Sequence, residues 1–281
     1  MIVVTGATGN VGRPLVEALA AVGEDVAAVS RAISAADVPD GVRPYPADLT
    51  APDSLGAAFD GGSTLFLMFT GGGAYEVDVR AILEVAKARG IKRAVLLSSQ
   101  GVVSRPESPS HGRLMRSIEA AVEQSGLDWT VLRPGGFASN AYAWADEVRS
   151  RRTVSAPFGD VGLPVVDPAD IAEVAAVALR QDGHNGKAYV LTGPGLITPR
   201  QQASTISEAL DEPVEFLELS RDEAREQMLT FMPEPVADTT LDVLGKPTPT
   251  ERSVSPDVQS VLGRSPNTFT DWSRRHIAIF R

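Results

Sequence analysis

Residues 1–19 read Met-Ile-Val-Val-Thr-Gly-Ala-Thr-Gly-Asn-Val-Gly-Arg-Pro-Leu-Val-Glu-Ala-Leu, and this stretch decides the fold. The β-branched run at 2–4 is typical of a short buried strand. Three glycines follow at Gly6, Gly9 and Gly12, and apolar residues then recur at helical spacing. A glycine-rich turn between a strand and a helix is the setting of a dinucleotide site, so the start of the chain predicts a bound NAD(P).

Each glycine of this turn has its own expected task. Gly6 makes the tight turn out of the strand, Gly9 leaves the backbone open to a pyrophosphate, and Gly12 lets the helix pack close to the sheet. The helix then directs its unpaired N–H groups and the positive end of its dipole at the phosphates. The spacing is G-x-x-G-x-x-G rather than G-x-G-x-x-G. A tight strand–helix connection without a ligand is the alternative interpretation.

Further apolar runs alternate with helical patterns along the chain. Strands are predicted over 25–31, 63–69, 93–99 and 214–219, with another ending at Leu132-Arg133-Pro134. A short or edge strand is predicted over 42–49 because of its two prolines, and helices are predicted over 75–90 and 170–180. This alternation predicts an α/β fold with a Rossmann-type doubly wound parallel sheet. We expect a dinucleotide-binding domain over 1–150. A smaller mixed α/β substrate-side region, interleaved with it, is expected over 151–281, with irregular structure and short helices from about residue 235.

The composition narrows the class of protein. The 281 residues are 43% hydrophobic and 22% charged, which is ordinary for a soluble globular chain, and the net charge of −10 disfavours direct nucleic-acid binding. Cysteine is absent, which excludes disulfides and thiol catalysis, and the three histidines lie far apart, so no metal site is expected. No apolar run is as long as a membrane span, and a strand begins at residue 2, so we predict a cytoplasmic protein without a signal peptide.

The end of the second strand bears on the choice of cofactor. An NAD site typically has an acid there, roughly 20 residues after the glycines, to hold the ribose hydroxyls. This strand ends in Ser30-Arg31 instead, and Asp25 stands at its other end. Since an arginine can pair with a 2′-phosphate, we predict that NADP(H) is preferred over NAD(H). A solvent-facing arginine is the alternative.

Two later strand ends are expected to lie near the same ligand. Ser98 and Ser99 follow the buried run at 93–97, and ligands of doubly wound sheets bind beyond the carboxyl ends of the strands. We therefore expect both serines at the nicotinamide end of the cofactor. The glycines at 71–73, after Thr70, permit close approach by a ligand, or they form a merely flexible loop.

Several motifs resemble a known family. The Thr5–Gly12 turn resembles that of extended and atypical short-chain dehydrogenases/reductases. A helix with Glu119, then Ser125-Gly-Leu, a strand ending in Leu132-Arg133-Pro134, and the later block Asp167-Pro-Ala-Asp170-Ile-Ala resemble the NmrA-like family of atypical members. The resemblance covers about residues 1–220.

The resemblance implies which residues line the two parts of the site. For the cofactor they are Gly6, Thr8, Gly9, Asn10, Val11, Gly12, Ser30, Arg31, Asp48 near the adenine, Leu49, Phe69, Thr70, Ser98, Met115, Pro134 and Phe137. For the substrate they are Ser99, Gln100, Asn140, Tyr142 and Trp144. The two aromatic side chains could bind a flat substrate, or they could belong to a packed lid or a dimer surface.

One expected catalytic pair is absent. Most enzymes of the wider superfamily carry Tyr-x-x-x-Lys on the helix that holds Glu119, and the tyrosine donates a proton. Counting back from Glu119 puts His111 at the tyrosine position and Met115 at the lysine position. His111 is therefore the candidate proton donor, because an unperturbed histidine titrates near neutrality. A histidine near the first turn of a surface helix is the alternative.

Two functions remain open at this point. The resemblance implies an NADPH-dependent oxidoreductase that transfers hydride to a quinone-like or other conjugated small molecule, as a monomer or homodimer. The missing tyrosine and lysine favour the alternative, an NADP(H)-binding redox-sensing regulatory protein of the NmrA type without turnover. A quinone accepts hydride and can take its proton from water, so the absent pair does not exclude the enzyme.

Overall fold

The computed structural model describes residues 1–69 and 76–281. The prediction for Thr70 and the glycines that follow it lies outside the described residues. The main sheet has seven parallel strands in the order β3-β2-β1-β4-β5-β6-β8. Their bounds are β1 Ile2–Thr5, β2 Val26–Ser30, β3 Arg43–Pro46, β4 Thr64–Leu67, β5 Arg93–Leu97, β6 Asp128–Pro134 and β8 Lys187–Leu191. This is the predicted Rossmann-type sheet, and its strand order reverses between β1 and β4.

Helices cover both faces of the sheet. Their bounds are α1 Gly12–Ala21, α2 Gly56–Phe59, α3 Val79–Ala88, α4 Gly101–Ser104, α5 Leu114–Glu123, α6 Ala145–Arg151, α7 Pro168–Arg180, α8 Pro199–Leu210, α9 Arg221–Leu229, α10 Glu234–Gly245, α11 Pro249–Arg252, α12 Asp257–Leu262 and α13 Phe269–His276. Short 3₁₀ turns lie at Ala35–Asp37, Pro52–Leu55, Ala138–Trp144 and Ile277–Phe280, and a π-helical turn lies at Pro109–Arg113.

Two apolar cores form because successive residues of a strand point to opposite faces. In β1, Ile2 and Val4 pack with α1 and α7, whereas Val3 faces the other way, where α3 and α5 contribute Ile82 and Ile118. The central strands are buried on both sides, and their continuous apolar runs are the sequence signature of that burial.

A second unit stands beside the sheet. Strand β7 (Thr153–Pro157) pairs in parallel with β9 (Glu215–Leu219), and a third apolar core joins α6, α8 and α13. Strand β8 belongs to the main sheet and α7 packs against it, although both lie beyond residue 150. The boundary at residue 150 stays a prediction.

The strand predicted over 42–49 is, as its two prolines indicate, a short edge strand, Arg43–Pro46. Two other elements differ from the sequence-based expectations. The helix expected from residue 75 begins at Val79, where the Asp78 carboxylate accepts a hydrogen bond from the Ala81 amide (3.0 Å). The prediction of irregular structure with short helices from about residue 235 was wrong in part, because α10 is a regular twelve-residue helix. Prolines fit the first turn of a helix, so they do not interrupt it.

None of the helices described is both long enough and apolar enough to cross a membrane.

Candidate cofactor and substrate site

The carboxyl ends of β1, β2 and β4 surround a cavity of about 400 Å³. Most of the predicted cofactor residues from the first part of the chain line it, namely Gly6, Thr8, Gly9, Ser30, Arg31, Asp48, Leu49 and Phe69. The cavity lies where the strand order reverses, which is the place where open α/β sheets bind ligands.

The glycine turn is built for close backbone approach. Gly6 has φ +63, a conformation that favours glycine, and a Cβ there would lie 2.6 Å from Met68 Sδ. A Cβ on Gly12 would lie 2.1 Å from the Gly6 carbonyl oxygen, so only glycine lets α1 start this close to the turn. At Gly9 the nearest atoms are the Gly6 oxygen at 3.3 Å and Met68 Cε at 4.0 Å, and the residue lines the cavity.

Polar contacts fix this turn to its neighbours. The hydroxyls of Thr8 and Ser30 lie 3.0 Å apart and join the turn to the end of β2. Asn10 Nδ2 donates to Ser139 Oγ (3.3 Å), which joins the turn to the second unit. Val11 is buried directly before α1, and its side chain does not line the cavity.

The rim at the end of β2 carries opposite charges. Arg31 is exposed and lines the cavity together with Asp48, which follows β3. Hydrogen bonding to Thr50, whose amide donates to Asp48 Oδ1 (3.0 Å), lowers the pKa of the Asp48 carboxyl, and the positive charge of Arg31 adds to this. The Asp48 carboxyl is therefore ionised near neutral pH.

Sequence reasoning missed several residues of the cavity wall. They are Thr5, Val29, Ala47, Thr50, Met68, Glu76 and Val77. Most of them adjoin a predicted strand end, so the strand-end rule could have found them. Thr5 Oγ1 donates to the Phe66 carbonyl and accepts from the Met68 amide, both at 3.0 Å, which closes the gap between β1 and β4. No sequence signal marked Glu76.

Ser98 is part of a buried ion-pair network. Its hydroxyl donates to Glu119 Oε1 (2.5 Å), and Arg133 donates to both oxygens of the same carboxylate (3.0 and 2.7 Å). The Glu119 side chain is 4% exposed. Glu119 and Arg133 thus connect α5 to the end of β6. The proton of the Ser98 hydroxyl is used in its hydrogen bond to Glu119.

The neighbouring residues carry their own contacts. Ser99 Oγ accepts from the Gly101 amide (3.1 Å), and Gln100 Nε2 donates to the Thr250 carbonyl (3.0 Å). Pro134 accepts from the Gln100 amide (2.9 Å), and the backbone of Phe137 forms a β-bridge with Val166. Met115 and Phe137 are partly buried against the two cores of the sheet.

His111 lies in the π-helical turn Pro109–Arg113, before α5. Its Nδ1 is 2.8 Å from Ser110 Oγ. Burial lowers the pKa of the His111 imidazole, the Glu251 carboxylate opposes this effect, and the Arg105 guanidinium adds to it. Arg105 and Glu251 themselves form an ion pair (2.7 Å), in which Glu251 is buried and Arg105 is half-buried.

The predicted substrate aromatics face the C-terminal helix. The ring centroid of Tyr142 lies 5.2 Å from that of Trp272, and Tyr142 Oη lies 3.0 Å from His276 Nδ1. Burial raises the pKa of the Tyr142 phenol. Trp144 packs on the same apolar core, and Asn140 is exposed. The substrate role of these residues stays a prediction.

The block Asp167-Pro-Ala-Asp170 holds the C-terminal part of the chain in place. Asp167 caps α7, accepts from Asn267 Nδ2 (3.1 Å) and pairs with Arg275. Asp170 accepts from the Asn267 amide (2.7 Å) and pairs with Arg264 (2.9 Å). Burial raises the pKa of the Asp170 carboxyl. Across residues 1–69 and 76–281, the acidic and histidine side chains form no group suited to a metal ion.

A family model described as NAD(P)H-binding matches residues 6–182, which contain the glycine turn, the cavity and the Glu119–Arg133 pair. The chain belongs to this NAD(P)H-binding family. Its fold is shared by solved structures of a quinone oxidoreductase and of NmrA, in line with the resemblance of its motifs to the NmrA-like family.

Two relatives match over their whole length. A reductase of Streptomyces griseus, named (4-alkanoyl-5-oxo-2,5-dihydrofuran-3-yl)methyl phosphate reductase, is 36% identical over 281 residues, covering 100% of this chain and 99% of the relative. An NAD(P)H azoreductase of Xenophilus azovorans is 32% identical over 291 residues, with the same shares of both chains.

Two solved structures share the fold of this chain. An NADPH-dependent quinone oxidoreductase of Escherichia coli, in complex with NADPH, gives a TM-score of 0.80 at 24% identity, covering 98% of this chain and 99% of that one. NmrA, a negative transcriptional regulator, in complex with NADP gives a TM-score of 0.74 at 18% identity, covering 99% of this chain and 95% of that one.

Proposed function

We propose that the protein is an NADPH-dependent reductase of small conjugated acceptors such as quinones. One observation carries the proposal. Arg31, at the carboxyl end of β2, lines the same cavity as the glycine turn, and β2 itself ends without an acid. An arginine in that place favours a cofactor with a 2′-phosphate.

The residues of the cavity fit a dinucleotide. Gly6, Gly9 and the start of α1 would hold the pyrophosphate, since a side chain at Gly9 would project into the space that a ligand needs. Arg31 would bind the 2′-phosphate, and Asp48 with Leu49 would border the adenine. Phe69, Ser98, Met115, Pro134 and Phe137 would then follow the cofactor toward its nicotinamide, which supplies the hydride when bound.

The names of the two full-length relatives support the class of acceptor. One reduces an oxo-dihydrofuran and the other an azo compound. Both acceptors have a double bond that is conjugated or polarised, so that hydride can add at one atom while a proton reaches another. We extend this class of acceptor to the present chain.

The proton would come from His111 or from water. His111 stands at the position of the usual tyrosine, and its lowered pKa makes the imidazole largely neutral at pH 7, so the protonated fraction would limit its use as an acid. A quinone can take its proton from water and needs no such group.

The proposed substrate residues contribute unequally. Ser99 keeps its hydroxyl proton available, because its oxygen accepts from the Gly101 amide. Gln100 already donates to Thr250, so its carbonyl oxygen is the group it can offer. Asn140, Tyr142 and Trp144 would border the acceptor from the second unit.

A second function has a specific observation in its favour. Met115 stands where the superfamily lysine would organise the nicotinamide ribose, and no tyrosine of the sequence is followed by a lysine four residues later. An NADP(H)-binding regulatory protein of the NmrA type, without turnover, would need neither residue.

Oxidation of NADPH in the presence of quinones, azo dyes, enones and unsaturated lactones tests these alternatives. Consumption of NADPH above the rate without acceptor supports the reductase. Tight NADPH binding in calorimetry, together with no turnover of any acceptor, would favour the regulatory protein. We retain a cytoplasmic location and a monomeric or homodimeric state as predictions, and sedimentation tests the latter.

A further inference from the structure

We infer that Ser110 is a positioning residue for His111. Its hydroxyl lies between His111 Nδ1 (2.8 Å) and the Pro235 carbonyl oxygen of α10 (3.4 Å). The inference rests on the proposed function for its chemical purpose, because it assigns Ser110 the task of presenting the other ring nitrogen, Nε2, to an acceptor.

The backbone around His111 is held in place from two sides. Ser108 caps the π-helical turn and accepts from the His111 amide (3.3 Å). A Cβ on Gly101 would lie 2.7 Å from the His111 carbonyl oxygen, so α4 is in direct backbone contact with the turn. Single π-helical turns occur frequently at functional sites. The position of the imidazole is thus decided by its side-chain contacts rather than by a mobile backbone.

The hydrogen-bond roles follow from a count of protons. A serine hydroxyl has one proton, and the Pro235 carbonyl can only accept. When Ser110 donates to Pro235, its oxygen accepts from Nδ1–H of His111. In this arrangement the imidazolium keeps one proton on Nδ1, bonded to Ser110, and carries the other on Nε2. No hydrogen bond from Nε2 to another described residue occurs, so this nitrogen remains the donor for a ligand.

The surroundings of the imidazole lower the pKa of His111, chiefly through burial. Burial is the main cause of the lowered pKa of His111, and Arg105 adds to it, whereas Glu251 opposes it. Most other charged side chains on the elements packed against this turn have partners of their own, namely Arg113–Glu107, Glu119–Arg133, Asp242–Arg221, Asp238–Arg225 and Glu234–Arg225, while Arg116 donates to the Val102 carbonyl. Glu123, on α5, is exposed. A neutral acceptor such as Ser110 therefore provides the direct hydrogen bond to the cation.

The proposed proton transfer balances. Hydride from the reduced nicotinamide cofactor adds to one end of the conjugated acceptor, and the electron pair of the double bond moves onto its oxygen. That oxygen takes the proton from Nε2, which leaves a neutral imidazole with Nδ1–H still bonded to Ser110. Water then returns a proton to Nε2.

The test compares Ser110→Ala with Ser110→Thr in the full-length protein. NMR titration of His111 reports the midpoint of its protonation without any need for activity. Loss of one hydrogen bond to a charged group is worth about tenfold in an equilibrium constant, so S110A should lower the midpoint by about one pH unit. The threonine variant keeps the hydroxyl and should restore the wild-type midpoint.

Turnover supplies the second readout. With an enone acceptor at pH 7, S110A should lower kcat by about tenfold with KM nearly unchanged, because fewer molecules carry the imidazolium. Ser117→Ala is the matched control, since Ser117 lies on α5, is exposed, and donates only to the Leu114 carbonyl. Thermal melting checks that all variants are folded.

The outcomes separate this inference from the proposed function. An unchanged His111 midpoint in S110A overturns the role of Ser110, whether or not the protein is an enzyme. An equal fall in S110A and S110T points to packing rather than the hydroxyl and also overturns it. Absence of turnover with every acceptor refutes the proposed function, while the titration still decides whether Ser110 positions the ring.

Discussion

Replacing Arg31 with alanine should remove the proposed preference for NADPH over NADH. Arg31 directly follows Ser30, the last residue of β2, and its exposed side chain lines the cavity next to Asp48. A 2′-phosphate on the adenosine ribose would meet this guanidinium. NADH has no such phosphate, so its binding should depend on Arg31 very little.

The size of the effect follows from the exposure of Arg31. A hydrogen bond to a charged group contributes about 1.5–3 kcal/mol, and solvent screening at an exposed site favours the lower end. About 1.5 kcal/mol corresponds to roughly a tenfold weaker binding of NADPH. The Asp48 carboxylate, whose pKa is lowered, would stay charged and repel the phosphate, so the loss should be larger at low salt.

Titration calorimetry with NADPH and NADH measures both affinities directly. Arg31→Lys should recover part of the NADPH affinity, since a lysine keeps the charge but not the planar pair of donors. Asp48→Asn combined with Arg31→Ala should recover part of the loss by removing the repulsion. Arg151→Ala is the matched control, because it removes one exposed positive charge at the end of α6, outside the cavity.

The pH dependence offers an independent check. The second pKa of a phosphate monoester is about 6, so the difference between wild type and Arg31→Ala should shrink as the pH falls below that value. Equal weakening of NADPH and NADH, or weakening of NADPH that is as large in Arg151→Ala, would refute the assignment of Arg31 to the 2′-phosphate.

Further predictions concern the glycine turn, the candidate acid and the buried ion pair. Gly9→Val should abolish NADPH binding in calorimetry while the melting temperature changes little, and retained affinity would contradict a pyrophosphate at this turn. His111→Ala should lower enone turnover by roughly a hundredfold but leave quinone turnover nearly unchanged in NADPH-oxidation assays. Arg133→Met should lower the free energy of unfolding in urea by about 3 kcal/mol, because it leaves a buried carboxylate unpaired. Glu119→Gln in that variant should restore part of the stability, and additive losses would argue against the pair.

The sequence by itself determined the dinucleotide half of this protein. The turn from Gly6 to Gly12, the arginine at the end of β2 and the alternation of strands and helices are local patterns. Backbone geometry and side-chain periodicity act over a few residues, so these features can be interpreted without knowing what packs against them. The parallel sheet then follows from the short connections and the handedness of its crossovers.

Only the tertiary structure decided what the remaining polar and aromatic residues contact. The chemistry of Tyr142 predicts a substrate contact, and only the structure shows that its hydroxyl hydrogen-bonds with His276, 134 residues further along the chain. The surroundings of His111 depend on Arg105 and Glu251, which are 146 residues apart in the sequence. No periodicity or motif encodes such pairs, because they form only when the C-terminal helices pack on the sheet. Burial and charge, which set the pKa of His111, exist only in that packed arrangement.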